Sequence, residues 1–255
     1  MRLDAHAPRP SDRPTAAGRS ARGPAGLPPF FSGMTGTGRS ALDEALDEAG
    51  GLILVAGPPG SGRATTLRGL LRARPDALAI GDIASPERAT AALHAARGRL
   101  VLATIAAGDS IAALGRIAAF GVPPFSVACV LRLVLAQRLA RRLCPSCRRP
   151  VQPSASVTAP LGLEPGAVVY RAQGCGTCGG TGFAGPIGAF EALPVDSNVG
   201  RLIVCGAEEA AIANHVFRTW PNLAAAVRSL VIHGFTTAEE AIELLRPQPL
   251  PPLPS

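Results

Sequence analysis

Apolar and polar positions alternate along this chain in two rhythms, and the changes between them mark its elements. Residues 40–49 carry apolar side chains at Leu42, Leu46 and Ala49 with acids opposite, and stop at Gly50 and Gly51, which predicts a short surface helix. The runs 52–56, 76–80 and 100–104 are short and largely apolar, as strands buried on both faces require. Helices are expected from about residue 63 to Arg74, over 86–97 and over 111–120. Strands separated by helices imply a parallel sheet covered on both sides, an α/β fold. A further helix is expected over 125–143, where Leu131, Leu135 and Leu139 recur at i, i+4 and Arg138, Arg141 and Arg142 cluster nearby.

Composition narrows the picture. With 255 residues, 47% of them hydrophobic, the chain can build one core or a core plus a small satellite. The 29 Gly and 25 Pro place much of it in turns, loops or tails, and a coiled coil is excluded. Residues 1–32 read as a disordered Pro/Arg-rich arm, and 247–255 as an irregular Pro-rich tail. Aromatics make up 4%, too few for a platform that stacks nucleic-acid bases. The net charge of +7 is carried entirely by Arg, for the sequence contains no Lys. That excess concentrates in residues 1–30 and 132–149, where a solvated face, a neighbouring subunit, a phosphate or an anionic membrane would each suit it. No apolar run is long enough to span a bilayer and the N-terminus lacks the apolar stretch of a secretory signal, so a cytoplasmic location is expected.

Between the first buried run and the helix after it stands Gly57-Pro58-Pro59-Gly60-Ser61-Gly62-Arg63-Ala64-Thr65. Strand, glycine loop and helix in this order suit a phosphate-binding loop, whose backbone N–H groups converge on phosphate oxygens with help from the helix dipole. The working pattern ends in Lys, for the β/γ-phosphates, and Ser or Thr, for Mg²⁺. Arg63 and Ala64 occupy those positions, with Thr65 adjacent. Arg keeps the charge but is a broad planar fork, a poor substitute at a tight phosphate site. ATP/Mg²⁺ binding is therefore expected to be weak.

Four of the six cysteines fall as Cys144-Pro-Ser-Cys147 and Cys175-Gly-Thr-Cys178. Two such pairs in Pro/Gly turns suit four thiolates around a structural Zn²⁺, and in a reducing compartment explain the spacing better than disulfides or a redox pair. Cys129 and Cys205 are expected to be ordinary buried residues.

The stretches Val134-Leu-Ala-Gln-Arg-Leu-Ala-Arg-Arg-Leu-Cys-Pro-Ser-Cys147 and Gly174-Cys-Gly-Thr-Cys-Gly-Gly-Thr-Gly-Phe-Ala-Gly-Pro-Ile-Gly-Ala-Phe-Glu191 carry a resemblance. They are similar to the LAQRLxRxLCxxC segment, second cysteine pair and GxxGRxGxxE segment of the type II secretion and type IV pilus assembly ATPases. The resemblance runs from about Gly33 to Leu245. It implies a RecA-like fold, a hexameric motor on the cytoplasmic face of the inner membrane, and a membrane platform protein as partner. It also implies that Asp82, in Gly81-Asp82-Ile83-Ala84-Ser85, stands where the family has the Glu of Gly-Glu-Ile-Arg-Asp. The family's Ser-Thr-Leu-His-Thr-Asn segment is here Ala103-Thr-Ile-Ala-Ala-Gly108, followed by Asp109, and a long acidic segment before Asp76 is missing.

The expected architecture is a reduced RecA-like P-loop core over 33–143, a zinc-binding segment over 144–190 and a C-terminal helical part over 191–246. The expected function is that of a secretion or pilus motor relative with its ATP-binding fold retained and hydrolysis weak or lost, acting as a regulatory or structural partner of a paralogue and of the platform protein, with a homo-oligomer as an alternative assembly. A low-activity working ATPase is the second reading. A zinc-ribbon module that binds nucleic acid is the third, and the scarcity of aromatics disfavours it.

Overall fold

The computed structural model describes residues 29–34, 36–164 and 166–252. The expected arm thus lies outside the described residues as far as position 28. Its last part is ordered differently: a short 3-10 turn spans Pro29–Gly33, and Phe31 is buried with its ring centroid 4.6 Å from that of Phe190.

The first half alternates helix and strand: α1 (Gly36–Asp47), β1 (Gly51–Gly57), α2 (Arg63–Ala73), β2 (Leu78–Asp82), α3 (Pro86–Ala95), β3 (Leu100–Ala106), α4 (Ser110–Ala119) and α5 (Pro124–Val130). The second half continues with β4 (Leu131–Leu143), β5 (Arg149–Val151), α6 (Ala155–Thr158), β6 (Val169–Arg171), β7 (Phe183–Pro194), α7 (Ser197–Val204), α8 (Glu209–Val216), α9 (Leu223–Ile232) and α10 (Ala238–Leu245).

Five strands form one sheet in the order β2-β3-β1-β4-β7, with the first four parallel and β7 antiparallel to β4. Strands β1 and β3 are buried along their whole length, which is why they read as unbroken apolar runs. One face packs under α3, α4, α5, α7 and α8 through residues such as Leu54, Val101, Ile105 and Val134, and the other under α1 and α2 through Leu42, Ile53, Leu70 and Leu133. Each such fully buried side chain contributes about 1.5–3 kcal/mol. Beyond the end of the sheet, α9, α10 and the loops around β5 and β6 enclose a third cluster around Leu161, Val227, Leu230 and Ile187.

Residues 131–143, expected to continue a helix, are instead the 13-residue strand β4. A four-residue repeat of leucines fits a helical turn but is also two strand periods, so Leu131, Leu135 and Leu139 do not decide between the two. Burial decides. Leu133, Val134, Leu135, Ala136 and Gln137 are all fully buried, and only a strand inserted between β1 and β7 hides successive residues on both faces. The basic cluster disperses accordingly. Arg138 is buried, Arg141 pairs with Glu240 at 2.6 Å, and Arg142 lies over the Phe235 ring at 5.9 Å. Cys129 and Cys205, expected inside, are exposed, on α5 and at the end of α7.

Strand β7 begins at Phe183 and pairs with β4 from Leu143↔Phe183 to Leu133↔Pro194. The end of the cysteine-bearing stretch is therefore built into the main sheet.

Candidate functional site

Strand β1 delivers its last residue, Gly57, to the carboxyl edge of the sheet, where α/β proteins hold their ligands. The turn to α2 needs left-handed backbone at Gly60 (φ 79°) and Gly62 (φ 86°), the latter capping the helix. The requirement at Gly57 is one of space. A Cβ there would stand 2.3 Å from Ser61 Oγ and 2.7 Å from the Gln137 carbonyl oxygen. Gly57→Ala is expected to displace the loop and cost about 1–3 kcal/mol, read as a lower urea midpoint with an unchanged slope.

Gln137 holds the loop from below. Its Nε2 donates to the Ser61 carbonyl at 2.6 Å and its Oε1 accepts from the Thr66 hydroxyl at 2.7 Å, all within the interior. Sequence reasoning passed over Gln137 and Thr66. The available signal was an uncharged polar residue inside an otherwise apolar run. Ser61 Oγ is buried without a partner, whereas a Cβ at Gly60 would meet open space.

Arg63 turns toward Asp82 at the end of β2. Its Nη1 donates to Asp82 Oδ1 at 2.9 Å, and the Thr104 hydroxyl of β3 donates to the same oxygen at 2.8 Å. The Arg63 side chain is 16% exposed and that of Asp82 44%. Burial lowers the Arg63 pKa, the attraction of Asp82 opposes this, and the positive charge of Arg116 adds to the lowering. Ala64 offers no hydroxyl; Thr65 is exposed and accepts from Arg68 at 3.2 Å. Pro58 is buried and Pro59 exposed. The fold thus brings Gly57 to Thr65 and Asp82 to one edge of the sheet. Its backbone suits a phosphate group; its side chains offer Mg²⁺ no hydroxyl at position 64.

The second candidate centre is well separated, since β4 runs on from Gln137 to Leu143 before the first cysteine, about 20 Å at strand spacing. There the Sγ atoms of Cys144, Cys147, Cys175 and Cys178 all lie within 4.8 Å of one another. The separations are 4.0 Å for Cys144–Cys175, 3.8 Å for Cys147–Cys178 and 3.8 Å for Cys175–Cys178. A tetrahedron of thiolates at about 2.3 Å from a zinc ion has edges of about 3.8 Å, whereas a disulfide requires about 2.05 Å. The donor set therefore fits a metal ion. Burial opposes charge on the Cys178 sulfur, yet the amides of Cys175 and Gly182 donate to it at 3.2 Å each, and its pKa falls to about 6. Burial pushes Cys147 up to about 11.

A third polar element, also missed from sequence as a structural centre, is Glu191 on β7. It is 2% exposed and accepts from Ser110 N at 2.8 Å, Ser110 Oγ at 2.5 Å and Leu223 N at 2.7 Å. It ties the first turns of α4 and α9 to the sheet.

A five-stranded sheet with four parallel strands, a glycine loop at its carboxyl edge and a separate tetracysteine cluster define a RecA-like α/β protein. Residues 64–243 match the family described as Type II/IV secretion system protein, and the chain belongs to that family. It is 30% identical to the type II secretion system protein E of Pseudomonas aeruginosa, covering 84% of this chain and 52% of that protein. It is 36% identical to the type IV pilus assembly ATPase PilB of Thermus thermophilus, over 70% of this chain and 21% of that protein. The chain thus spans about half the length of the type II secretion relatives it matches. The Pseudomonas alignment has 262 positions, more than the 255 residues available, so that relative carries segments with no counterpart here. Among solved structures, the fold is shared with the pilus retraction motor PilT determined with bound ADP (TM-score 0.57, 20% identity, 89% of this chain and 69% of that one). It is also shared with the Legionella pneumophila ATPase DotB (TM-score 0.56, 14% identity, 86% and 66%). No helix of the described residues is long and apolar enough to cross a membrane.

Proposed function

We propose that this chain is a nucleoside-phosphate-binding member of the secretion-motor family whose ATP hydrolysis is weak or lost. In this reading it serves as a regulatory or structural partner of a full-length motor, at the cytoplasmic face of the inner membrane beside the platform protein. One observation carries the proposal: the Arg63 guanidinium, at the position of the phosphate-binding lysine, is bonded to Asp82, at the position of the catalytic carboxylate. Each group neutralises the other, and a ligand must separate them. The threonine hydroxyls nearby are also engaged, Thr65 with Arg68, Thr66 with Gln137 and Thr104 with Asp82, which leaves Ser61 Oγ as the unpartnered hydroxyl of the loop. Losing one preorganised electrostatic contact costs about 3 kcal/mol of transition-state stabilisation, or two to three orders in rate. The loop backbone supports retained binding, because the amides that hold phosphate do not depend on side chains. Zinc in the tetracysteine cluster completes the assignment as a structural ion, four thiolates leaving no open position.

The test is ADP affinity with and without Mg²⁺, paired with steady-state phosphate release. The expected result is measurable ADP binding with little help from Mg²⁺ and phosphate release at the level of a buffer control. Arg63→Lys combined with Ala64→Thr is expected not to restore turnover. The intact loop geometry favours one competitor, a slow working ATPase using Arg63, Thr65 and Asp82. Under it, the same double substitution raises a measurable basal rate by tenfold or more, which would overturn the proposal.

A further inference from the structure

The amino edge of the sheet, opposite the glycine loop, carries an open groove of about 500 Å³. Three segments meet there as they enter the sheet: Gly50 ahead of β1, Ala96 and Arg97 ahead of β3, and α5 ahead of β4. Strand β1, seven residues long, sets this groove about 20 Å from the loop.

Phe125 on α5 lines the groove and is 67% exposed, the most exposed large apolar side chain among the described residues. One helical turn further on, Cys129 lines it too and is also exposed. Glu48, Arg97 and Arg132 belong to the same wall. Arg132 is fixed in place. Its Nη1 donates to the Cys129 carbonyl at 3.0 Å, and its stem lies over Gly51, where a Cβ would stand 2.5 Å from Arg132 Cγ. Although an acid and two bases share the groove, none of the three forms an ion pair among the described residues.

The surface therefore sets a projecting ring beside a hollow, and an unmatched carboxylate beside unmatched guanidinium groups. A two-fold contact opposes residue i of one copy to residue j of the other and j to i, so it needs both halves of each complementary pair on one patch. This groove has them. A ligand carrying only negative charge would satisfy the two arginines and meet Glu48 as a like charge, which disfavours it.

We propose that the groove is the interface of a two-fold homodimer, in which Phe125 of each copy enters the groove of the other and Glu48 faces Arg97 across the axis. With one aromatic anchor per copy, a dissociation constant in roughly the micromolar range is expected. Groove and loop lie at opposite edges of the sheet, so dimerisation leaves the loop open.

Sedimentation equilibrium of the full chain from about 1 to 100 µM tests the proposal. A dimer is expected, and Phe125→Ser is expected to weaken it at least about tenfold, the scale of a buried aromatic anchor. Glu48→Arg and Arg97→Glu should each weaken it as much, because each sets like charges face to face. Mixed in equal amounts, these two variants should dimerise again, each supplying the sign the other has lost. That rescue separates a contact across the axis from damage to the fold, which mixing cannot repair. Cys129, covered in the dimer, should alkylate more slowly as protein concentration rises, and the exposed Cys205 on α7 should not. A chain still monomeric at about 100 µM, a dimer indifferent to all three substitutions, or charge variants that fail to restore one another would overturn the inference. None of these readouts involves ADP, so the nucleoside-phosphate reading stands or falls separately.

Discussion

Chelation is expected to unfold residues 144–182 while leaving the five-stranded sheet in place. The segment has little else to hold it. Among its described residues the regular pairing is β5 with β6, three residues each, and its apolar contribution to the third cluster is the buried Leu161, Leu163 and Val169 with Val151, Val157 and Ala167 partly buried against them. Arg148 adds a bond to the Gly234 carbonyl at 2.5 Å and lies 4.8 Å over the Tyr170 ring. Against that, a structural zinc site supplies on the order of 10 kcal/mol that is available only to the folded segment. Elemental analysis should give one zinc per chain, and EDTA should release it. The Cys178 and Gly182 amides, which bond to the Cys175 carbonyl and the Cys178 sulfur within the turn, should then exchange freely with solvent, as should the Leu143↔Phe183 end of the β4–β7 ladder. Amides of β1 and β3 should remain protected. Cys178→Ser should reproduce the effect without chelator. Because protons compete for the thiolates, the metal should be lost as pH falls. A metal-free protein whose turn amides are already protected would refute the zinc assignment.

What the sequence disclosed, and what it hid, follows from the range of the interactions involved. The strand–loop–helix at 52–74 was legible because its signals are local: a buried apolar run, glycines at positions needing left-handed backbone, and a periodic helix. The cysteine pairs were legible because metal-ligand spacing is also local. Strand β4 was not, since leucines four apart satisfy both periods, and the choice was made by β7, which arrives forty residues later in the sequence to cover its other edge. Gln137 and Glu191 were hidden for the same reason. Their roles depend on Ser61, Thr66, Ser110 and Leu223, at separations of 32 to 81 residues. The Arg63–Asp82 pair lies between: each residue was singled out, but their contact across 19 residues required the sheet.

Glu191 shows how far such a hidden contact reaches, because its removal is expected to loosen two helices at once. Three donors converge on its carboxylate: the Ser110 amide and hydroxyl at the start of α4, and the Leu223 amide at the start of α9. These amides are among the groups a helix cannot satisfy internally, and both helix dipoles point their positive ends at the carboxylate. Glu191→Ala leaves two buried N–H groups and a hydroxyl without an acceptor, and is expected to cost about 3–5 kcal/mol, lowering the melting temperature by about 10 °C or more. Glu191→Gln retains one oxygen but turns an N–H₂ group toward a donor, for about 1–3 kcal/mol. The pH dependence has a definite sign. Burial raises the Glu191 pKa above the ordinary carboxylate value, the bonds from Ser110 and Leu223 resist the rise, and Asp109 adds to it. The folded state therefore holds the proton more tightly than the unfolded state. This residue's contribution is complete below the unfolded carboxylate pKa and declines as pH rises through the raised folded value. Wild type should accordingly lose part of its margin over Glu191→Gln across that window, by urea denaturation at closely spaced pH values. A Glu191→Ala protein within 1 kcal/mol of wild type would mean that water replaces the carboxylate between the two helix ends, and that α4 is held by its Asp109 cap alone, through the bond from Ala112 N at 2.7 Å.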